Sequence, residues 1–219
     1  ADADIDGDVL RTKDRAIVTG QVSRKEALQC FAVLCLLAAS LLLFTNVLTA
    51  LMSLGAVLLT AIYPFMKRYT HLPQVVLGMA FSWGILMAFT AQTNALPPSA
   101  AWLLYVANCL WTVAYDTQYA MVDREYDLKI GVKSTAILFG DADKAMIAIL
   151  HVMFLLALLL AGLQFQLQWP YYLGLTVAAL LLLRQHKLIR NREPAPCFEA
   201  FLNNHWVGLA IFIGVVLGT

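Results

Sequence analysis

The chain has 219 residues, of which 61% are hydrophobic and only 13% are charged, and its mean hydropathy is +0.72. These values exclude an ordinary water-soluble domain. The formal net charge of +1 says little about partners, because acidic and basic residues are concentrated in the same segments. We expect membrane lipid around the protein and no nucleic-acid partner.

Apolar stretches long enough to cross a hydrocarbon core, which takes about 20 residues per helix, recur along the chain. Seven such stretches follow one another: 27–44, 47–66, 74–91, 99–115, 145–163, 170–183 and 198–218. The sixth is expected to continue toward Leu188, with Arg184 and Lys187 reaching the interface. Prolines are expected at the ends of these runs, among them Pro64. The pattern predicts an all-α, polytopic transmembrane bundle of about seven helices.

The basic residues fix the orientation of this bundle. If the seven helices cross alternately, the connections on one side are 1–26, 67–73, 116–144 and 184–199. These segments hold all 15 Lys and Arg and all 14 Asp and Glu of the chain. The positive-inside rule therefore predicts that this side faces the cytoplasm.

Two acidic clusters lie on that side, about 110 residues apart. The first contains the aspartates at the start of the chain: Asp2, Asp4, Asp6 and Asp8. The second contains Asp116, Asp123 and Asp127. Carboxylates this close repel one another unless a cation neutralises them. A divalent metal shared with a phosphorylated ligand is the usual solution.

The helical period sharpens the second cluster. Asp116, Tyr119, Asp123 and Asp127 occupy positions i, i+3, i+7 and i+11, which form one stripe on a helix continuing 99–115 past the membrane boundary. A lone acidic pair four residues apart is most often a solvated helix end. Two such pairs, here and at Asp2 and Asp6, favour a site for a divalent cation.

Basic residues near both clusters suggest a phosphorylated ligand. Arg11, Lys13 and Arg15 follow the first cluster, and Lys129 and Lys133 follow the second. Mg²⁺ takes few protein ligands and completes its shell with phosphate oxygens, while Arg and Lys bind phosphate directly. Such groups beside apolar helices predict a diphosphate site for a lipid-linked substrate.

Three parts of the chain carry recognisable motifs. The run 115–127, YDTQYAMVDREYD, and the GVKST at 131–135 resemble the second aspartate motif of one family, the UbiA superfamily of intramembrane prenyltransferases. The start, ADADIDG, resembles the latter half of its first motif, with Asp2 and Asp6 as the last two aspartates. The run 63–74, YPFMKRYTHLPQ, resembles a loop of the 4-hydroxybenzoate polyprenyltransferase branch. The likeness extends over the whole chain, although the family's Asn-Arg-Pro reads Asp14-Arg15-Ala16 here.

The resemblance implies a single membrane-embedded domain over 1–219 that lacks the first two of the family's usual nine helices. It also implies that these residues alone would be inactive. An N-terminally truncated enzyme of a bacterial inner membrane, with its active site on the cytoplasmic face, is therefore the expectation.

The activity implied is Mg²⁺-dependent transfer of a polyprenyl group from polyprenyl diphosphate to the ring of 4-hydroxybenzoate, in ubiquinone biosynthesis. The metal ligands implied are Asp2, Asp6, Asp123 and Asp127. The catalytic residues implied are Asp116, Tyr119, Asp123 and Asp127. The substrate-binding residues implied are Arg11, Arg15, Lys67, Arg68 and Lys133. The arginine at 68 is the candidate for the acceptor carboxylate, with an interfacial anchor as its alternative role.

Other interpretations stay open at this point. A sibling prenyltransferase acting on a dihydroxynaphthoate, homogentisate or haem would share the aspartates. A CDP-alcohol phosphotransferase would place its aspartates in one continuous motif with Gly and Arg. A cation transporter would place carboxylates near the bilayer midplane rather than at the interface. Prenyl chain length and oligomeric state cannot be predicted from these patterns.

Overall fold

A computed structural model describes residues 13–219, and this part of the chain is helical, with no strand. The helices are α1 Arg24–Leu41, α2 Val47–Tyr69, α3 Pro73–Thr93, α4 Ser99–Ile130, α5 Thr135–Phe139, α6 Asp143–Gln164, α7 Trp169–Leu188, α8 Pro194–Leu202 and α9 Asn204–Gly218. The short α5 leads into α6, and α8 is separated from α9 at Asn203 only. The described residues thus form seven helical units, which confirms the predicted all-α bundle.

Five of these seven units are apolar and long enough to cross a membrane. They are Arg24–Phe44, Val47–Tyr69, Pro73–Thr93, Thr135–Gln164 and Pro194–Gly218. The remaining two, α4 and α7, carry polar residues in their last turns. The chain is therefore an integral membrane protein.

Helix α7, which corresponds to the sixth predicted stretch, continues to Leu188 as the sequence predicts. Pro64, in contrast, does not lie at a helix end. Pro64 lies inside α2, which runs five residues further and carries Lys67 and Arg68 in its last turn. A helical proline lacks an N–H and leaves one carbonyl without its usual partner. Membrane helices tolerate this where other groups satisfy the carbonyl. The extra turn carries basic side chains beyond the apolar part of α2.

The fourth helix is the central element of the described bundle. It packs against α3, α5, α6 and α8. Alanines that are almost fully buried, among them Ala101, Ala107 and Ala114, let these neighbours approach closely. Because α4 has 32 residues, about 48 Å at 1.5 Å per residue, it is longer than a hydrocarbon core is thick. Its last turns therefore project beyond the membrane with its neighbours still packed around it.

The seventh and ninth helices pack backbone to backbone. A Cβ atom added at Gly174 would lie 2.7 Å from the carbonyl oxygen of Ala210 and 3.0 Å from the Cα of Gly214. Only glycine fits at such a crossing, and small residues are the usual means of bringing membrane helices together. The tight pair forms one wall of the apolar core, which α6 completes with Phe154 and Leu158.

Candidate active site

Three connections meet at one end of the bundle: 70–72, 131–134 and 189–193, which together we call the charged end. The Lys133 backbone N–H donates to the Lys67 carbonyl at 3.1 Å, and the Lys133 ammonium donates to the Tyr69 carbonyl at 3.2 Å. These bonds dock the loop after α4 onto the last turn of α2. The structure thus brings together Lys67 and Lys133, two predicted substrate-binding residues.

The predicted stripe lies on one continuous helix, because α4 runs unbroken from Ser99 to Ile130. At 100° per residue, Asp116, Tyr119, Asp123 and Asp127 fall within about 80° of the helix circumference. Along the axis, Asp123 lies about 10 Å and Asp127 about 16 Å beyond Asp116. A single metal ion cannot bridge such separations, so Asp116 and the Asp123–Asp127 pair form separate parts of the site.

The outer pair occupies the last two turns of α4. Gly131 ends the helix with a φ of 71°, and the amides of Gly131 and Val132 both bond to the Asp127 carbonyl. Carboxylates at a helix C-terminus face the negative end of the helix dipole, which disfavours them unless a cation is near. Both Asp123 and Asp127 are only partly exposed. A cation close to Asp123 and Asp127 would therefore be stabilising.

The inner carboxylate lies beside a buried side chain from α3. Gln74, which is 4% exposed, is a neighbour of Asp116. The Gln74 Oε1 accepts a bond from the Thr135 backbone N–H at 3.1 Å. The hydroxyls of Thr117 and Thr135 bond to each other at 2.7 Å. Asp116 thus lies within a buried polar cluster shared by α3, α4 and α5.

An aromatic cavity of about 550 Å³ opens in front of this carboxylate. It is lined by Tyr63, Leu77, Phe81, Tyr115, Asp116, Tyr119, Phe198 and Phe201. Asp116 is the one ionisable carboxylate among these lining residues of the described chain. The cavity therefore offers aromatic surface and a single fixed negative group.

The outer wall of the cavity comes from α8. The Tyr119 and Phe201 rings lie with centroids 4.8 Å apart, and the Tyr115 and Phe201 rings 6.0 Å apart. Phe198 contacts the Tyr119 ring at 6.3 Å. Neither phenylalanine was found from the sequence, because α8 lies about 80 residues beyond Tyr119 and no motif marks it. The predicted residues Asp116 and Tyr119 do come together here.

Arg68 lies near the cavity but is not among the described residues that line it. It is exposed in the last turn of α2, about 7.5 Å along the helix axis from Tyr63, which does line the cavity. Its guanidinium lies 5.8 Å from the centre of the Phe65 ring.

A cluster of charged residues around the buried Asp143 carboxylate stabilises the end of α4. Asp143 is fully buried at the start of α6 and accepts two bonds of 2.8 Å from the Arg192 guanidinium. The Lys144 N–H donates to the same carboxylate at 2.6 Å, and Arg124 lies 3.8 Å away. The bonds to Asp143 raise the pKa of Arg192. Sequence reasoning missed this cluster, since 49 residues separate its principal partners.

A second polar network crosses the core beside the cavity. The Gln118 side-chain amide donates to Gln185 Oε1 at 3.0 Å, and its Oε1 accepts from Asn204 Nδ2 at 3.3 Å. The Trp111 indole N–H donates to Asn204 at 2.8 Å. This network joins α4, α7 and α9 next to the end of α8. It stabilises the break between α8 and α9, and α8 forms the outer wall of the cavity.

Three of the predicted site residues, Asp2, Asp6 and Arg11, fall outside the described residues. Arg15 is exposed in the turns that precede α1. Within residues 13–219, no group of three or more His, Cys, Asp or Glu side chains is arranged to hold a metal ion.

The pair of Asp123 and Asp127 nevertheless fits Mg²⁺. They are hard oxygen donors one turn apart on one helix face, at the negative end of the helix dipole. Mg²⁺ is commonly bound by one or two carboxylates, with water and substrate phosphate supplying the other ligands. Two carboxylates near Lys133 are a suitable donor set for a metal that carries a phosphorylated ligand.

Comparison with known proteins finds similar sequences in one family. The model of the UbiA prenyltransferase family matches residues 1–213. A protein of Ectopseudomonas mendocina (strain ymp), named 4-hydroxybenzoate octaprenyltransferase, is 59% identical over 217 residues, which cover 99% of this chain and 73% of that protein. A protein of the same name from Pseudomonas aeruginosa (strain LESB58) is 58% identical over 216 residues, with the same coverage.

Two solved structures share the fold. The apo structure of a UbiA homolog from Aeropyrum pernix K1 matches with a TM-score of 0.86 at 23% identity, over 99% of this chain and 80% of that one. A structure of digeranylgeranylglyceryl phosphate synthase matches with a TM-score of 0.72 at 17% identity, over 99% and 77%. At these identities the likeness concerns the fold alone.

Proposed function

Because the chain belongs to the UbiA prenyltransferase family, we propose that it transfers a polyprenyl group from polyprenyl diphosphate to the ring of 4-hydroxybenzoate, a step of ubiquinone biosynthesis. Relatives almost 60% identical carry the name 4-hydroxybenzoate octaprenyltransferase. The observation that carries the proposal is the arrangement on α4. One helix face presents a carboxylate pair at its end and a single carboxylate inside an aromatic cavity.

The diphosphate end of the donor is assigned to the charged end of the bundle. Asp123 and Asp127 would hold Mg²⁺, and Asp2 and Asp6 of the first motif would hold a second ion. When bound, Mg²⁺ neutralises the charge that develops on the leaving diphosphate. Basic groups bind the remaining phosphate oxygens. We assign that role to Lys67, Lys133, Arg15 and Arg11.

The prenyl chain is assigned to the aromatic cavity. Phe81, Tyr119 and Phe201 line this space. Aromatic faces stabilise positive charge, which accumulates on the allylic carbon as its bond to oxygen breaks. The apolar walls also exclude water, which would otherwise capture that carbon. Two other aromatic residues of α3, Trp83 and Phe89, are not among the residues that line the cavity. Trp83 instead donates to the Met52 carbonyl at 2.7 Å, and Phe89 stacks on Phe165.

The acceptor is assigned to the mouth of the cavity, between Arg68 and Asp116. A guanidinium binds a carboxylate with two parallel bonds, so Arg68 is the proposed partner of the benzoate group. The ring carbon next to the hydroxyl then bonds to the allylic carbon as the C–O bond to diphosphate breaks. The ring loses one proton from that carbon, and Asp116 is the proposed group that receives or directs it.

The distribution of charge along the sequence supports a location for the protein. All 15 Lys and Arg fall in the segments that the alternating-helix prediction places on one side of the membrane. By the positive-inside rule, we propose that the protein lies in the bacterial inner membrane with its active site on the cytoplasmic face.

The proposal is tested by incubating the membrane-embedded protein with labelled 4-hydroxybenzoate, a polyprenyl diphosphate and Mg²⁺. The expected product is a 3-polyprenyl-4-hydroxybenzoate, which forms only when metal is present and disappears with a chelator. Dihydroxynaphthoate and homogentisate serve as competing acceptors. Faster transfer to either of these would replace the proposed acceptor, while release of diphosphate without any prenylated aromatic product would contradict the proposed reaction.

A further inference from the structure

A second cavity, of about 370 Å³, lies at the charged end of the bundle. It is lined by two arginines, Arg124 from α4 and Arg192 from the connection before α8, and by the apolar residues Met121, Leu128 and Pro194. We propose that this cavity binds the phosphate group of an anionic membrane lipid through the two guanidinium groups. The inference goes beyond prenyl transfer and does not depend on it.

The helical period separates this cavity from the stripe of aspartates on α4. At 100° per residue, Met121, Arg124 and Leu128 lie between about 100° and 160° around the helix from Asp123. Asp143, the first residue of α6, lines the same cavity. A ligand bound here would therefore not occupy the proposed metal and diphosphate site.

The cavity lies at the depth of the lipid headgroups. Arg124 is 25 residues beyond the start of α4 at Ser99, which corresponds to about 38 Å along the helix axis. A hydrocarbon core is about 30 Å thick, and about 40–45 Å with both headgroup layers. On α6, the apolar run begins at residue 145, almost directly after Asp143. Both helices thus place the charged groups of the cavity just outside the hydrocarbon.

The two guanidinium groups keep hydrogen-bond donors that no residue within 13–219 accepts. Arg192 uses Nε and Nη2 for the Asp143 carboxylate and the Asp141 carbonyl, which leaves Nη1 unused in this part of the chain. Arg124 lies 3.8 Å from Asp143, beyond hydrogen-bond distance. A guanidinium has five N–H donors, and phosphate oxygens accept them in pairs. The unused donors therefore suit a phosphate group.

The buried carboxylate neutralises only one of the two arginines. Asp143 is fully buried and accepts two bonds of 2.8 Å from Arg192. The charge of Arg124 is then in excess at this buried group. Glu125 and Asp141 are the other carboxylates close by in the described chain, but both are exposed, so water screens them. A negatively charged ligand would balance Arg124.

The apolar part of the lining favours a lipid over free phosphate, which has the same oxygen acceptors. Leu128 is 59% exposed, and it lines the cavity together with Val122 and Pro194. Free phosphate would leave this apolar surface in water, whereas the glycerol and the first acyl carbons of a lipid would cover it. Anionic lipids are also attracted to basic groups at the cytoplasmic surface.

The test measures binding of phosphatidylglycerol to the protein in phosphatidylcholine nanodiscs. Adding phosphatidylglycerol should raise the thermal unfolding midpoint, because a ligand that binds only the folded state stabilises it. Arg124→Gln should weaken the affinity for phosphatidylglycerol about 10-fold, through loss of a charged hydrogen-bond donor. Arg124 is the residue to change, since Arg192 also holds the buried Asp143 and its loss would impair folding.

Two further variants separate a defined site from other roles of positive charge. Arg124→Lys keeps the charge and should retain most of the affinity. Arg184→Gln removes one charge from an exposed pair outside the cavity and should leave the affinity unchanged. An equal loss in Arg184→Gln would overturn the inference, because it would show diffuse attraction to the lipid surface. Parental affinity in Arg124→Gln, with a midpoint lowered equally in both lipid compositions, would show that Arg124 serves only Asp143.

Inorganic phosphate distinguishes the two sources of the ligand. Added to phosphatidylcholine nanodiscs at constant ionic strength, it should raise the midpoint less than phosphatidylglycerol does. A rise with inorganic phosphate and none with phosphatidylglycerol would overturn the lipid assignment. None of these measurements uses prenyl transfer, so failure of the lipid site and failure of the proposed function are separate results.

Discussion

The two carboxylate regions of α4 have the same residue type on the same helix face, yet their surroundings differ. Asp116 lies inside the bundle and lines the aromatic cavity. Asp123 and Asp127 lie in the last two turns of the helix, partly exposed and at the negative end of its dipole. The inner carboxylate is surrounded by aromatic rings, whereas the outer pair lies where a nearby cation would be stabilising. Environment, and not residue type, therefore separates the proposed proton-handling and metal-binding roles.

The largest expected effect comes from the outer pair. Asp123→Asn or Asp127→Asn should lower the rate about 10²–10³-fold at limiting Mg²⁺, since charge stabilisation in the transition state is lost. The measurement is the initial rate of product formation over a series of Mg²⁺ concentrations. Glu125→Gln, an exposed residue between the two aspartates, is the control and should keep the parent's rate. Parental activity of Asp123→Asn at limiting metal would remove the metal assignment.

A third carboxylate, Asp143, extends the comparison because it is buried and paired with arginine side chains. Arg192→Ala leaves this carboxylate without its two bonds of 2.8 Å and should cost about 3 kcal/mol of unfolding free energy. The measurement is denaturant unfolding in detergent. The control is Arg184→Ala, whose pair with Glu199 is exposed on both sides and should cost less than about 1 kcal/mol. Equal costs would show that burial of Asp143 contributes nothing.

The acceptor side is tested at Arg68. Arg68→Ala should weaken the binding of 4-hydroxybenzoate by about 2 kcal/mol, roughly 30-fold, through loss of a charged hydrogen-bond pair. The affinity for polyprenyl diphosphate should hardly change. Equilibrium binding of each substrate to the purified variant measures both values. A loss of donor affinity with acceptor affinity intact would move Arg68 from the inner region of the site to the diphosphate region.

The smallest expected change tests most directly whether the two carboxylate regions of α4 act independently. Asp116→Asn should lower kcat but should change the half-saturating Mg²⁺ concentration by less than about twofold, because residues about 10 Å apart act nearly independently. A titration of activity with Mg²⁺ gives the half-saturating concentration. Asp123→Asn, measured in the same way, should raise that concentration. If both substitutions raise the half-saturating concentration equally, the two regions form a single metal site.

The sequence by itself determined the features that depend on local spacing. Runs of about 20 apolar residues and the placement of every Lys and Arg predict seven helices and one charged end. The helical period predicts that Asp116, Tyr119, Asp123 and Asp127 share one face of α4, and the helix is indeed continuous there. These patterns can be read from the chain because each depends only on residues within a few helical turns.

Only the tertiary structure decided which distant segments meet. Gln74 bonds to Thr135 across 61 positions of the chain, and Arg192 bonds to Asp143 across 49. Spacing carries no signal for such contacts, since they depend on how whole helices pack. Even Pro64, which local reasoning places at a helix end, lies within α2. The chain's own periodicity thus sets where the carboxylates lie on α4, and packing sets what each of them faces.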